Sequence, residues 1–261
     1  MVPSPQPRDA AAVTEVKLNR LIQAFGGTRV LQGLDLKIGL GVTGLLGPEG
    51  SGKTTVMRTL ATVIRPSDGT LSIQGHDPAD EEQRRSLRRQ LGYLPQALGY
   101  YPGFTVRAFV EYFALLKEVP NKEVDSAVAQ AIRRVGLHEH AGSKLGSLSE
   151  GMLRCAALAQ AIVNRPQLLL LDDPMSCLDP EQRATVLDLI RDFGDHGIVV
   201  FATRAVEEVG EVCEVVVTLT DGTITFCGSV GELAKIGESS DRLENSALER
   251  GYRAVLAEGK S

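Results

Sequence analysis

The stretch VTGLLGPEGSGKTTVMRTLATVI, Val42 to Ile64, constrains this chain more than any other. An apolar run ends in the glycine-rich turn GPEGSGKT, Gly47 to Thr54, and a stretch of helical period follows. The order is strand, loop, helix. The loop fits G-x-x-x-x-G-K-[ST], a pattern that a chain of this length meets by chance on the order of once in a hundred. Its glycines let the backbone N–H groups of Gly50 to Thr54 turn inward as an anion nest, at a helix N-terminus whose dipole favours negative charge. Lys53 is then expected to reach the β- and γ-phosphates of a nucleotide, and the Thr54 hydroxyl to take Mg²⁺.

A second stretch, LLLLDDP, Leu168 to Pro174, runs four leucines into two adjacent carboxylates that repel one another. A carboxylate at the end of a buried strand beside a phosphate loop finds its partner in Mg²⁺, which offsets the cost of charge at the edge of an apolar core. Asp172, directly after the leucines, is the expected metal-side carboxylate. Asp173, one residue on, is placed to point at water attacking the γ-phosphate. The competing reading is a turn or helix N-cap pair, since Asp-Pro is a common turn signal.

With 261 residues and 43% hydrophobic content, the chain can bury a sizeable core as one large domain or two small ones. A net charge of -5 and pI near 5.5 argue against a nucleic-acid binder working through a broad basic surface. Cys155, Cys177, Cys213 and Cys227 lie far apart without metal-ligand spacing, as reduced thiols of a cytosolic protein would. No apolar run approaches the roughly 20 residues of a membrane span. The start, MVPSPQPRDAAAV, lacks a basic segment followed by an apolar one, so neither secretion nor membrane crossing is expected. Its three prolines suggest a disordered tail over residues 1–13.

From Val16 to Gly41, alternation with turn signals reads as short antiparallel strands. DGTLSIQG reads as another strand pair, Asp80 to Arg89 as a charged helix, and LGYLPQ as a short strand. Between Thr105 and Leu137 the period turns helical, in VRAFVEYFALLKEV and VDSAVAQAIRRVGL, which predicts an inserted helical subdomain over about residues 97–160. Ser149 to Asn164 is a further helix, followed by the strand QLLLLD, a helix from about Pro180 to Phe193, and the strand GIVVFAT. Such alternation implies a parallel sheet covered by helices. A main body over residues 14–236 and a polar, partly helical extension over residues 237–261 complete the division.

These residues resemble the ATP-binding subunits of ABC transporters, from about Val16 to Gly228. GPEGSGKTT resembles the family's phosphate loop, YLPQ its Q-loop through Gln96, LSEGM its signature through Ser149 and Gly151, LLLLDDP its Walker B strand, and SCLDP its D-loop through Asp179. The resemblance implies an α/β fold: a P-loop NTPase (RecA-like) core with an antiparallel β subdomain and an inserted α-helical subdomain. It implies ATP held by Gly47, Pro48, Glu49, Gly50, Ser51, Gly52, Lys53, Thr54 and Thr55, with Mg²⁺ on Thr54, Gln96 and Asp172. Phe25 stands where the family stacks an aromatic ring on adenine, though it can also be read as a core aromatic. Two subunits of the same or different kind would face head to tail, each ATP between one phosphate loop and the other's signature. The pair would lie on the inner face of the cell membrane, attached through a transmembrane permease, with no nucleic acid as partner. ALGYYPGFTV, with Tyr100, Tyr101 and Phe104, stands where the permease docks, or is a packed loop. SALERGYRAVL, Ser246 to Leu256, resembles the ending of drug- and antibiotic-exporting (ABC-2 type) members, a shorter match.

Three positions depart from the family's pattern. The base is Asp173 where glutamate is usual, shorter by one bond of about 1.5 Å. Arg204 follows Thr203 where a histidine is usual; it donates to phosphate and stays charged, but accepts no hydrogen bond. Glu150 replaces a glycine of the signature, facing either the partner's phosphate or solvent. Asp173, Gln96 and Arg204 are therefore the expected catalytic residues of an ATP hydrolase of low activity. A regulatory ATP-binding subunit with little hydrolysis is an alternative, as is a non-transport ATPase of the same family.

Overall fold

The computed structural model describes residues 15–238 and 246–259, so the expected tail over residues 1–13 lies outside the described residues. The chain runs β1 (Val16–Phe25), β2 (Thr28–Ile38), β3 (Gly41–Leu46), α1 (Lys53–Leu60), β4 (Asp68–Ile73), α2 (Glu81–Gln90) and β5 (Leu91–Leu94). It continues through α3 (Val106–Leu116), α4 (Asn121–Arg134), α5 (Glu150–Ile162), β6 (Leu168–Asp172), α6 (Pro180–Gly194) and β7 (Ile198–Thr203). Last come α7 (Val206–Val212), β8 (Val215–Thr220), β9 (Thr223–Ser229), α8 (Val230–Glu238) and α9 (Ala247–Glu258).

Strands β1, β2 and β4 form an antiparallel sheet in the order β2-β1-β4. The strands expected to be short over Val16 to Gly41 are 10 and 11 residues long. They join at Gly26 and Gly27, whose φ of 55° and 88° suit a two-residue hairpin. The strand pair expected at DGTLSIQG is one strand, β4, because its partner is the distant β1. Only an isolated bridge between Ile73 and His76 marks the turn after it.

The second sheet has the order β5-β6-β7-β3-β8-β9, parallel from β5 to β8, with β9 antiparallel at the edge. Its central strands β3, β6 and β7 are buried at every residue, as strands covered on both faces must be. That explains the four leucines of β6. Leu168 and Leu170 face α1 and the antiparallel sheet, in a core with Leu31, Met57 and Leu60, while Leu169 and Leu171 face the helices, in a core with Phe109, Val128 and Leu158. A third cluster, Leu46, Val206, Val209, Val216, Leu233 and Val255, seats α8 and α9 on the outer strands.

Register decides where the site lies. Leu46 pairs with Thr203, and Asp172 with Ala202, so β3, β6 and β7 end side by side at one carboxyl edge. A crevice at the carboxyl ends of parallel strands is where ligands bind in open α/β sheets.

Candidate nucleotide site

Leaving β3, the chain turns through Gly47 to Thr54 and enters α1 at Lys53. Gly50 and Gly52 have φ of 77° and 103°, and Gly52 caps α1 without any side-chain hydrogen bond. A Cβ on Gly52 would lie 2.8 Å from Leu31 Cδ2, so the bare backbone is needed for packing as well as for its left-handed turn. The uncapped first turn leaves N–H groups for an anion. Lys53 Nζ donates to the carbonyls of Gly47 and Pro48, each at 2.7 Å, and to Ser51 Oγ at 3.4 Å. Burial holds the Lys53 ammonium below its usual range; Asp172 opposes that and Arg204 adds to it.

Asp172 ends β6 at 2% exposure, and its Oδ2 is buried with no hydrogen-bond partner. Burial raises its carboxyl above the usual carboxylate range and so does Asp173, against the pull of the Thr54 hydroxyl, Lys53 and Arg154. Close by, Thr54 Oγ1 donates to Gln96 Oε1 at 3.3 Å. An orphaned carboxylate oxygen beside a hydroxyl and an amide oxygen is a hard-oxygen donor set, which fits magnesium. Asp173 has φ of 55°, and its N–H donates to Ala202 O at 2.8 Å, continuing the β6–β7 ladder one residue past the strand. The two aspartates thus differ in backbone as well as position: one ends the strand, the other sits in a left-handed turn that few non-glycine residues adopt.

Across the crevice, Arg204 Nη1 donates to Glu49 Oε2 of the phosphate loop at 3.1 Å. Lys53, Thr54, Gln96, Asp172, Asp173 and Arg204 line one cavity of about 240 Å³, with Glu49, Gly50, Gly52 and Thr55 on the same wall. Three carboxylates, Glu49, Asp172 and Asp173, face two cations there, Lys53 and Arg204. A polyanion enters such a site favourably in company with a divalent cation.

The remaining expected residues do not line this cavity. Phe25 sits at the β1–β2 corner and is 46% exposed, which removes the core-aromatic reading. Ser149 caps α5, accepting from Met152 N at 3.2 Å, and Glu150 is exposed in the first turn. Gly151 is buried against Gln182 and Cys177, where a Cβ would lie 2.7 Å from the Cys177 carbonyl. Asp179 caps α6 in a reciprocal box with Gln182. Tyr101 packs on Phe104 at 5.2 Å yet stays 64% exposed, so the aromatic loop is both packed and open.

Two polar residues beside the site have no counterpart in the sequence reading. Arg154 on α5, 7% exposed, donates to the carbonyls of Pro95 at 3.0 Å and Gln96 at 3.2 Å, tying the helix that begins at Ser149 to the Gln96 segment. A cation inside an otherwise apolar helix was its available signal. Glu208 on α7 accepts from Thr203 Oγ1 at 2.7 Å.

Fold and site together define a P-loop nucleotide-binding protein of the α/β class. The ABC transporter family model matches residues 31–176, and the chain belongs to that family as an ATP-binding component. It is 36% identical to the uncharacterized ABC transporter ATP-binding protein YxlF of Bacillus subtilis (strain 168), covering 81% of this chain and 72% of that protein. The methionine import ATP-binding protein MetN of Xanthomonas axonopodis pv. citri (strain 306) is 33% identical, covering 86% of this chain and 71% of its own. The daunorubicin/doxorubicin resistance ATP-binding protein DrrA of Streptomyces peucetius is 32% identical, covering 87% and 69%. A solved ATP-binding subunit of an ABC transporter superposes with a TM-score of 0.82 at 21% identity, over 93% of this chain and 99% of that one, a likeness of fold.

Proposed function

We propose that the chain binds MgATP tightly and hydrolyses it slowly, as one half of a head-to-tail pair that drives a separate membrane permease in export. The observation that carries the slow turnover is the pairing of Arg204 with Glu49 beside the short base Asp173. Lys53 and the N–H groups of the loop bind the β- and γ-phosphates. Thr54, Gln96 and Asp172 would hold magnesium, which when bound neutralises charge on those phosphates. Asp173 takes the proton of the attacking water, from a carboxylate set back by about 1.5 Å relative to a glutamate. Arg204 donates to the terminal phosphate in competition with Glu49, which holds its Nη1. A base out of hydrogen-bond reach forfeits much of its contribution of about 10² to 10⁴ in rate. Binding without fast turnover, a regulatory clamp, is the limit of this same reading.

Docking of the permease is supported by an exposed apolar wall near the Gln96 segment. A cavity of about 650 Å³ there has Val63, Leu98 and Leu116 on its walls, Val63 being 51% and Leu116 56% exposed. Among the described residues no helix is long and apolar enough to cross a membrane, and attachment at the inner membrane face would run through that wall. Export is supported by the drug-resistance relative DrrA and by the resemblance of the Ser246–Leu256 tail, which forms α9, while the import protein MetN is equally similar overall.

Phosphate release by the purified chain and by the Asp173→Glu, Arg204→His double variant tests the proposal. The double variant is expected to turn over at least about tenfold faster. Fast turnover in the parent, unchanged in the double variant, rejects it.

A further inference from the structure

We infer that Glu208 is the positioning residue of the switch: a carboxylate that fixes the turn presenting Arg204 and ties that turn to the helix following Asp179. The inference rests on the reading that Arg204 addresses the terminal phosphate.

Glu208 does not line the nucleotide cavity, and its side chain is only 12% exposed. Both its oxygens are engaged, Oε2 by Thr203 Oγ1 at 2.7 Å and Oε1 by Arg183 Nη1 at 3.1 Å. Thr203 is itself 2% exposed at the end of β7, and its hydroxyl accepts from Ala205 N at 3.0 Å. A hydroxyl has one hydrogen. With that hydrogen aimed at Glu208, the lone pairs are free for the Ala205 N–H, and the turn closes around Arg204 between its two neighbours. The carboxylate therefore sets the polarity of the hydroxyl, and the hydroxyl sets the turn.

The other side of Glu208 reaches α6. Arg183 stands in the first turn of that helix, one residue after Gln182, which completes the Asp179 cap and abuts Gly151. The second Arg183 nitrogen donates to Glu211 Oε1 at 3.0 Å, so the guanidinium is held by two carboxylates of α7. Burial and opposite charge make this a clamp whose truncation at Glu208 leaves the buried Thr203 hydroxyl without its acceptor and Arg183 with Glu211 alone. The same contacts could serve stability alone. What distinguishes positioning is that the groups held, Thr203 and Arg204, face the phosphate cavity, while the phosphate loop that sets affinity makes no hydrogen bond to Glu208.

Steady-state ATP hydrolysis by the full chain decides, with Arg204→Ala, Glu208→Ala, Glu208→Gln, Thr203→Val and the Glu208→Ala, Thr203→Val pair measured alongside the parent. Glu208→Ala and Thr203→Val are each expected to lower kcat about tenfold with KM for ATP within about twofold, since a small displacement of a group acting at the terminal phosphate costs rate more than binding. The pair is expected to be no worse than either single variant, because both break one contact. Glu208→Gln keeps an oxygen for Thr203 and is expected to stay within about threefold of the parent. Parental kcat in Glu208→Ala, beside a slowed Arg204→Ala, overturns the inference and leaves the role of Arg204 standing. Parental kcat in Arg204→Ala overturns both. Should Glu208→Ala fail to fold, Thr203→Val decides: a loss of kcat of about tenfold with KM within about twofold supports the clamp, and parental kcat overturns it.

Discussion

Glu49 and Arg204 meet at 3.1 Å with 88% and 57% of their side chains exposed, a geometry in which ion pairs are individually weak. Their importance lies in competition, because the Glu49 carboxylate holds Nη1 of the guanidinium and draws charge that a terminal phosphate would otherwise receive in full. ADP lacks that phosphate and leaves the pair intact. Replacing Glu49 by glutamine is therefore expected to tighten ATP binding by about two- to fivefold, with ADP binding unchanged, and the gain should vanish in an Arg204→Ala background. Calorimetric titration of both nucleotides into the three variants checks this; an equal gain for ADP would show that Glu49 acts on the loop and not through Arg204. Single residues were also where sequence reading reached its limit. Asp172 and Lys53 could be assigned from their neighbours in the chain, because strand, loop and carboxylate are contiguous. The bonds of Arg154, and the pairing of Glu49 with Arg204, could not, since the carbonyls Arg154 binds lie 58 and 59 residues away and the guanidinium Glu49 meets lies 155 away. Phe25 stayed open for a related reason: only the β1–β2 register, not the residue type, places its ring outside the core.

At the level of elements, period and punctuation carried far. The helical stretches around α3, α4, α5 and α6 and the buried runs of β3, β6 and β7 follow directly from spacing, since amphipathic and fully apolar patterns each have one way to bury themselves. The strands β8 and β9 and the short α7 have no counterpart in the sequence reading. They hold the third core, which forms only when α8 and α9 fold back onto it. The junction between helical subdomain and sheet carries its own signature in Lys117, just past α3. Its Nζ donates to the carbonyls of Arg88 at 2.5 Å and Leu91 at 2.7 Å, closing the end of α2. Burial pulls its pKa down to about 8, and the Arg88 cation adds to the shift. Below pH 8 folded and unfolded chains both carry the proton, and the folded one bears the cost of burying it. Between that value and the ordinary 10.5 the unfolded chain keeps the proton that the folded chain sheds, so this lysine increasingly favours folding as pH rises. The neutral amine still has two hydrogens for the two carbonyls. Thermal midpoints across this range should therefore shift in favour of the parent relative to Lys117→Met as pH climbs; a constant difference between the two would contradict the buried ammonium.

For the whole molecule, the carboxyl edge of one parallel sheet gathers the phosphate loop, the adjacent Asp172 and Asp173, and Arg204 from three separate stretches of chain. Ser149, Gly151 and Asp179 lie elsewhere, which suits a site completed by a second subunit and gives the proposed head-to-tail pair its reason. The proposed mechanism depends on the nucleotide arriving with its cation. Asp172 Oδ2 is buried without a partner, and a carboxylate left in that state is costly unless a cation meets it. The most direct measurement is calorimetric titration of ATP, with and without magnesium, into the parent chain and Lys53→Ala. Binding at this loop predicts an affinity that rises with magnesium in the parent and falls by at least about a hundredfold in the variant. Equal affinity in the two proteins, indifferent to magnesium, would contradict it.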